Sequence, residues 1–238
     1  MNLVDPAAPA PSPTRPQAVL WDFDGTLADT EPLWIAAEFE VIEGELGKSW
    51  SMAHAEQLVG SDLIDSASYI LATIGRSDLE PIWMVEQLLG RVVAQLKTAE
   101  DLPWRPGALE LLADLRADGM PCALVSASYR VLLDAVLERL PAGSFAVSVG
   151  GDEVTQGKPH PEPYEKACQL LGVDARSCVV LEDSATGARS GNAAGAVVVG
   201  IPHVVAIPPA PRRVTVPSLA GLGPDRLAAL FAQAGSAA

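Results

Sequence analysis

The chain has 238 residues, 49% of them hydrophobic, and a formal net charge of −14. That is enough apolar material for one large core, or for a core carrying a modest insertion. The negative field argues against a general nucleic-acid or acidic-membrane binder, while leaving room for an anionic substrate in a local cationic pocket.

Residues 1–16 are rich in alanine and proline and read as a disordered tail without the apolar stretch of a signal peptide. "QAVLW" is a short apolar run stopped by turn chemistry, so it predicts a buried strand ending at Asp22. From residue 31 to about 100 the character changes. "EPLWIAAEFEVIEGELG", "MAHAEQLVG", "SDLIDSASYILATIG" and "EPIWMVEQLLGRVVAQLK" have helical apolar spacing with glycine stops and no strand between them. They predict a helical insertion.

After "LPWRPG" the chain alternates. A helix "GALELLADLRADG" precedes a strand "PCALVSAS"; a helix "YRVLLDAVLERL" precedes a weak strand and turn, "FAVSVGGDE". "HPEPYEKACQLLG" predicts a helix, "SCVVLED" a strand, "SATGARSGNAAG" a helix and "AVVVG" a strand; the remainder is Pro-rich, then short and helical, at the edge of the core. Such alternation implies a parallel sheet, in which ligands bind beyond the carboxyl ends of the strands. No run reaches the ~18 apolar residues of a membrane span. Cys122, Cys168 and Cys178 are odd in number and lack C-x-x-C spacing, which speaks against a disulfide framework or zinc site and for a reducing cytoplasm.

Polar residues cluster where the strands stop. The first strand delivers Asp22, Asp24 and Thr26, the second Ser126, Ala127 and Ser128, a loop Lys158, and a later strand Glu182 and Asp183. On one rim these bring four carboxylates together with one ammonium. Like charges so placed would push one another's pKa values up unless a cation joined them. A hard divalent ion with oxygen ligands answers this, and Mg²⁺ is the usual choice beside a phosphate.

"DFDGT" (22–26), "SAS" (126–128), "GKPHPEPY" (157–164) and "LEDSATG" (181–187), in that order, resemble the haloacid dehalogenase superfamily in its phosphatase branch with a helical cap. "DTEPLW" (29–34) is further similar to the beta-phosphoglucomutase-like sugar-phosphate phosphatases. The resemblance implies an α/β fold: a Rossmann-like core over residues 17–31 and 104–238, and an α-helical cap over 32–103. It implies Asp22 as nucleophile and Asp24 as acid, then base. Gly25 would let the backbone approach the phosphate. Mg²⁺ would be held by Asp22, the Asp24 carbonyl and Asp183, with Glu182 further out or acting through water. Ser126 and backbone N–H groups near Ala127 would bind phosphoryl oxygens, and Lys158 would neutralise both phosphate and nucleophile.

Several residues admit two readings. Thr26 reads as a phosphate-binding residue, and equally as one that hydrogen-bonds the loop positioning Asp24; the two roles are compatible. Asp29 is a loop or hinge residue, or a cap for the first inserted helix. His54, His160 and His203 lack ligand spacing, and His160, between prolines, reads as structural. Trp34 is either cap core or a substrate contact. The resembling mutases carry histidine at Trp34 and a basic residue soon after the position of Gly60, where this chain has Ser61, Asp62 and Leu63. Residues 32–103 hold four Lys/Arg against twelve Asp/Glu, few cations for a second phosphate. The expected activity is therefore a Mg²⁺-dependent phosphatase of a small phosphorylated metabolite, a sugar or polyol phosphate, in a monomer or weak dimer. A phosphosugar mutase, a dehalogenase and a non-catalytic binding module are the alternatives, and Asp24 speaks against the dehalogenase.

Overall fold

Four consecutive residues with no exposed surface make strand β1 (Ala18–Trp21) the middle of the sheet. Burial on both faces explains why its sequence is continuously apolar rather than alternating. In the computed structural model, which describes residues 15–58, 61–203 and 205–236, β1 pairs in parallel with β2 (Cys122–Val125) on one side. β4 (Cys178–Glu182) pairs with it on the other. With β3 (Val147–Val149), β5 (Val197–Gly200) and β6 (Arg213–Thr215), all parallel, the order is β3-β2-β1-β4-β5-β6. The tail expected over residues 1–16 lies outside the described residues except for Arg15, which pairs with Asp118, and the buried Pro16; Gly60 also lies outside them.

The register carries the functional consequence. Trp21 stands opposite Leu124 of β2 and Leu181 of β4, so the residues that follow these three positions emerge together. The chain runs outward from β1 through β2 to β3, then returns to the far side at β4. That reversal opens a crevice at the carboxyl ends, where open α/β sheets bind ligands.

Between β1 and β2 the chain forms α1 (Glu31–Phe39), α2 (Met52–Glu56), α3 (Leu63–Thr73) and α4 (Pro81–Thr98), the inserted helical cap, then α5 (Ala108–Ala117). On α4, Met84, Leu88, Val92 and Leu96 form one buried stripe at four-residue spacing. Pro81 starts this helix, and Asp62 caps α3 by accepting from the Ile64 N–H at 2.8 Å. α6 (Arg130–Leu137), α7 (Glu162–Leu171), α8 (Ala185–Ala193) and α9 (Pro224–Gly235) complete the α-helices among the described residues. The Arg139 guanidinium donates to the carbonyls of Leu96, Ala99 and Glu100, which ties the end of α4 to the core.

Val19 and Trp21 face one apolar cluster, shared with α5, α9 and the cap, while Ala18 and Leu20 face a second beneath α7 and α8. Two local features depart from the sequence reading. The first predicted helix ends at Phe39 and continues as a π-helical turn, Glu40–Glu45, whose Leu46 N–H reaches back to the Val41 carbonyl at 3.0 Å. The Pro-rich tail contains strand β6, whose three residues are too few to show a period of two. No helix among the described residues is long and apolar enough to cross a membrane.

Candidate active site

Asp22 leaves β1 with its N–H still donating to the Leu181 carbonyl at 3.0 Å. Its Oδ1 accepts from Lys158 Nζ at 2.6 Å; the same ammonium reaches Glu182 Oε1 at 2.8 Å and the Val125 carbonyl at 3.0 Å. Lys158 thus uses all three of its protons. Burial works to lower its pKa, but Asp22 and Glu182 together hold the ammonium well above its ordinary value. Asp22 is driven the other way from a usual carboxylate, well upward, by burial and then by Glu182, with Lys158 opposing.

Glu182 has no exposed surface and accepts from Lys158 and Tyr164 Oη (2.9 Å) on one oxygen, and from Ser184 Oγ (2.9 Å) on the other. Both oxygens are occupied, so Glu182 orients Lys158 rather than presenting a free ligand. Ser184 also caps α8, accepting from the Gly187 N–H at 3.0 Å. A Cβ at Gly187 would stand 1.6 Å from Glu182 Oε1. Gly187→Ala is expected to displace Glu182 and lower kcat at least about tenfold. Gly90→Ala, in open space on α4, is expected to leave the rate unchanged. Phosphate-release kinetics on the two variants checks this.

Asp24 is held by three hydroxyls: Thr30 Oγ1, Ser128 Oγ at 2.8 Å and Ser126 Oγ at 3.2 Å. The buried Ser126 hydroxyl also accepts from the Ser128 N–H at 2.9 Å, so it faces Asp24, and Ala127 and Ser128 reach the crevice. Thr26, 1% exposed, donates to Asp183 Oδ1 at 3.4 Å and braces that carboxylate from behind. Gly25 takes φ +87°, and a Cβ there would lie 2.2 Å from Asp183 Oδ2. Here only glycine fits, on conformation and on space.

Carboxylate oxygens of Asp22, Glu182 and Asp183 lie within 4.8 Å of one another. Burial, then Glu182, pushes Asp183 up to about 7. Asp22 Oδ2 is buried and has no hydrogen-bond partner among the described residues. Crowded carboxylates with an orphaned oxygen fit a hard cation with oxygen ligands. Asp22 and Asp183 would be the side chains to hold it.

These groups open on a cavity of ≈ 570 Å³ between core and cap. Trp34 lines it and also packs against the main apolar cluster, so the two readings of this residue are compatible. Glu38 and Ser66 line it from the cap, Glu31 from the junction where α1 leaves the core, and His203 from the loop after β5, its Nε2 3.3 Å from Asp29 Oδ2. Burial pushes Glu31 and Glu38 up to about 7. Sequence reasoning missed His203, although the strand-end rule applied to "VVVGIPH" reaches it. It also missed Thr30, Glu38 and the role of Tyr164, since nothing in their local pattern separates them from a helix start or a helix face. His160 accepts the Glu162 N–H at 3.2 Å and starts α7.

A strand-end carboxylate bound to a buried lysine, on a parallel sheet with an inserted helical cap, defines a class of hydrolase. The chain belongs to the haloacid dehalogenase-like hydrolases, whose family description matches residues 19–201. It is 30% identical over 187 residues to hexitol phosphatase B of Escherichia coli strain K12, covering 77% of this chain and 82% of that protein. It is 31% identical over 192 residues to the bifunctional riboflavin kinase/FMN phosphatase of Arabidopsis thaliana; this covers 78% of the chain, which spans only 48% of that longer protein. Among solved structures, CbbY from Rhodobacter sphaeroides in complex with phosphate matches with a TM-score of 0.77 and 27% identity, over 89% of this chain and 99% of that one.

Proposed function

We propose that this chain is a Mg²⁺-dependent phosphatase that hydrolyses a small phosphomonoester, a sugar or polyol phosphate, through an aspartyl phosphate on Asp22. The observation that carries the reading is the buried Lys158 joined to Asp22 and Glu182, beside an Asp22 oxygen that has no hydrogen-bond partner among the described residues. Names of relatives such as hexitol phosphatase B support the substrate class.

In this mechanism Asp22 attacks phosphorus, and the bond to the leaving oxygen breaks as Asp24 donates it a proton. Asp24 then takes a proton from water, whose oxygen attacks phosphorus and releases phosphate and free Asp22. Thr30, Ser126 and Ser128 hold Asp24 until the substrate arrives. Lys158 neutralises charge on Asp22 and phosphate, and backbone near Ala127 receives phosphoryl oxygens. Mg²⁺, held by Asp22 and Asp183 with Thr26 and Gly25 behind Asp183, would supply charge neutralisation for the phosphoryl group. Phosphate monoester hydrolysis demands enhancements of up to ~10²¹, so positioning and fixed charge carry most of it. The cap, residues 32–103, would close on the core at 17–31 and 104–238 and exclude water.

Hydrolysis is favoured over phosphate transfer between substrate oxygens because no Lys or Arg of α1–α4 lines the cavity among the described residues, and Trp34 does. A phosphate-release screen over sugar, polyol and nucleotide monophosphates tests the reading. Release is expected in Mg²⁺, is expected to vanish in EDTA and to return on adding Mg²⁺. Rates indifferent to EDTA would reject the metal. Isomerised phosphosugar from a bisphosphate-primed assay would favour a mutase.

A further inference from the structure

The cavity wall across from the reacting carboxylates is formed mainly by the cap: Leu58, Leu63, Val85 and Leu88 supply its apolar part, and Glu31, Glu38 and Asp62 its carboxylates. Of these three, Glu38 is the buried one. It is 4% exposed, and Trp50 Nε1 donates to its Oε2 at 2.9 Å. Its other oxygen accepts no hydrogen bond among the described residues, yet it is not sealed in protein, and the residue lines the cavity. That oxygen is open to the cavity, where a donor on a ligand can take the place of water as its partner. The same oxygen, when ionised, repels an anion; Glu31 and Asp62 add to that field, and no Lys or Arg lies on this wall among the described residues to soften it.

We propose that Glu38 is a specificity residue: it accepts a hydrogen bond from a donor at the far end of the leaving group and turns away leaving groups that end in an anion. This rests on the phosphatase reading and narrows it to monophosphates whose distal end is a hydroxyl or an ammonium. Bisphosphates and phosphorylated sugar acids are poor substrates on this account. Trp50 does not account for the free oxygen, since its single N–H is spent on Oε2.

The test uses the full chain with Mg²⁺ at pH 8, above the value of about 7 to which burial raises Glu38, and matched substrates differing only at the far end. Three-, four- and six-carbon polyol phosphates are compared with the sugar-acid phosphates of the same length, and with their terminal amino counterparts. At the length hydrolysed fastest, the hydroxyl end is expected to exceed the carboxylate end at least tenfold in kcat/KM, mainly through KM. Glu38→Gln, which can still accept from Trp50, is expected to reduce that ratio at least fivefold. A merely structural Glu38 would scale both substrates together. A preference for the amino end would support a cationic donor, and a preference for the hydroxyl end a neutral one. Equal kcat/KM for hydroxyl and carboxylate ends, or a ratio indifferent to Glu38→Gln, overturns the proposal. If no phosphate is released from any compound, the phosphatase reading fails instead. Calorimetric titration of the same compounds then decides, and equal affinity for the two ends overturns the role of Glu38.

Discussion

Asp22→Asn is expected to lower phosphate release on the order of 10⁴-fold or more, the scale seen when the attacking group of a cooperating set is removed. Asparagine keeps the shape and can still receive Lys158 on its carbonyl oxygen, so the fold should survive. Burial and the neighbouring Glu182 already work against a charge at this position. Removing that charge without metal is therefore expected to change stability little, or to raise it, because lost repulsion offsets the lost pairing with Lys158. Rapid-quench kinetics with the best substrate of the screen measures the first effect, and urea unfolding in EDTA the second. Substantial Mg²⁺-dependent turnover by a well-folded Asp22→Asn chain would place the nucleophile elsewhere.

The sheet was legible because buried parallel strands announce themselves. "AVLW", "CALV", "CVVLE" and "VVVG" are continuously apolar for a reason that needs no tertiary detail: both faces are covered. The polar residues directly after them were legible for the same reason, since a charged pair at the end of such a strand has only the rim to occupy. What stayed hidden is what a linear pattern does not encode. Glu38 sits among helical residues on an ordinary amphipathic helix, and its partner Trp50 lies beyond a π-helical turn whose slip in register carries no sequence mark. The three hydroxyls on Asp24 come from positions up to 104 residues away. Strand β6 shows the converse case: "RVT" flanked by prolines becomes a strand only because the edge of β5 is free to receive it.

Lys158→Met is expected to abolish turnover and, unlike Asp22→Asn, to destabilise the chain by about 3–5 kcal/mol at pH 8, the usual penalty for breaking a buried ion pair from one side. Methionine roughly fills the space of the lysine stem, so the loss is chiefly electrostatic: Asp22 and Glu182 remain buried with no countercharge. The pH dependence follows from the sign of the shift. In the wild type the Lys158 ammonium titrates above its ordinary range, so its contribution is fully present below that range and is lost only as pH rises through it. In the variant the opposing influence of Lys158 on Asp22 is gone, and burial and Glu182 raise the Asp22 pKa further. A carboxyl that titrates higher folded than unfolded binds more protons in the folded state. Its stability is then greatest below the unfolded value of about 4 and falls as pH rises toward the folded one. The deficit of Lys158→Met is accordingly expected to shrink from pH 8 to pH 5, read by urea unfolding in EDTA at both values. A deficit of the same size at both would instead assign it to packing, since the Lys158 ammonium lies 4.9 Å from the Tyr164 ring centroid and methionine does not reproduce that contact.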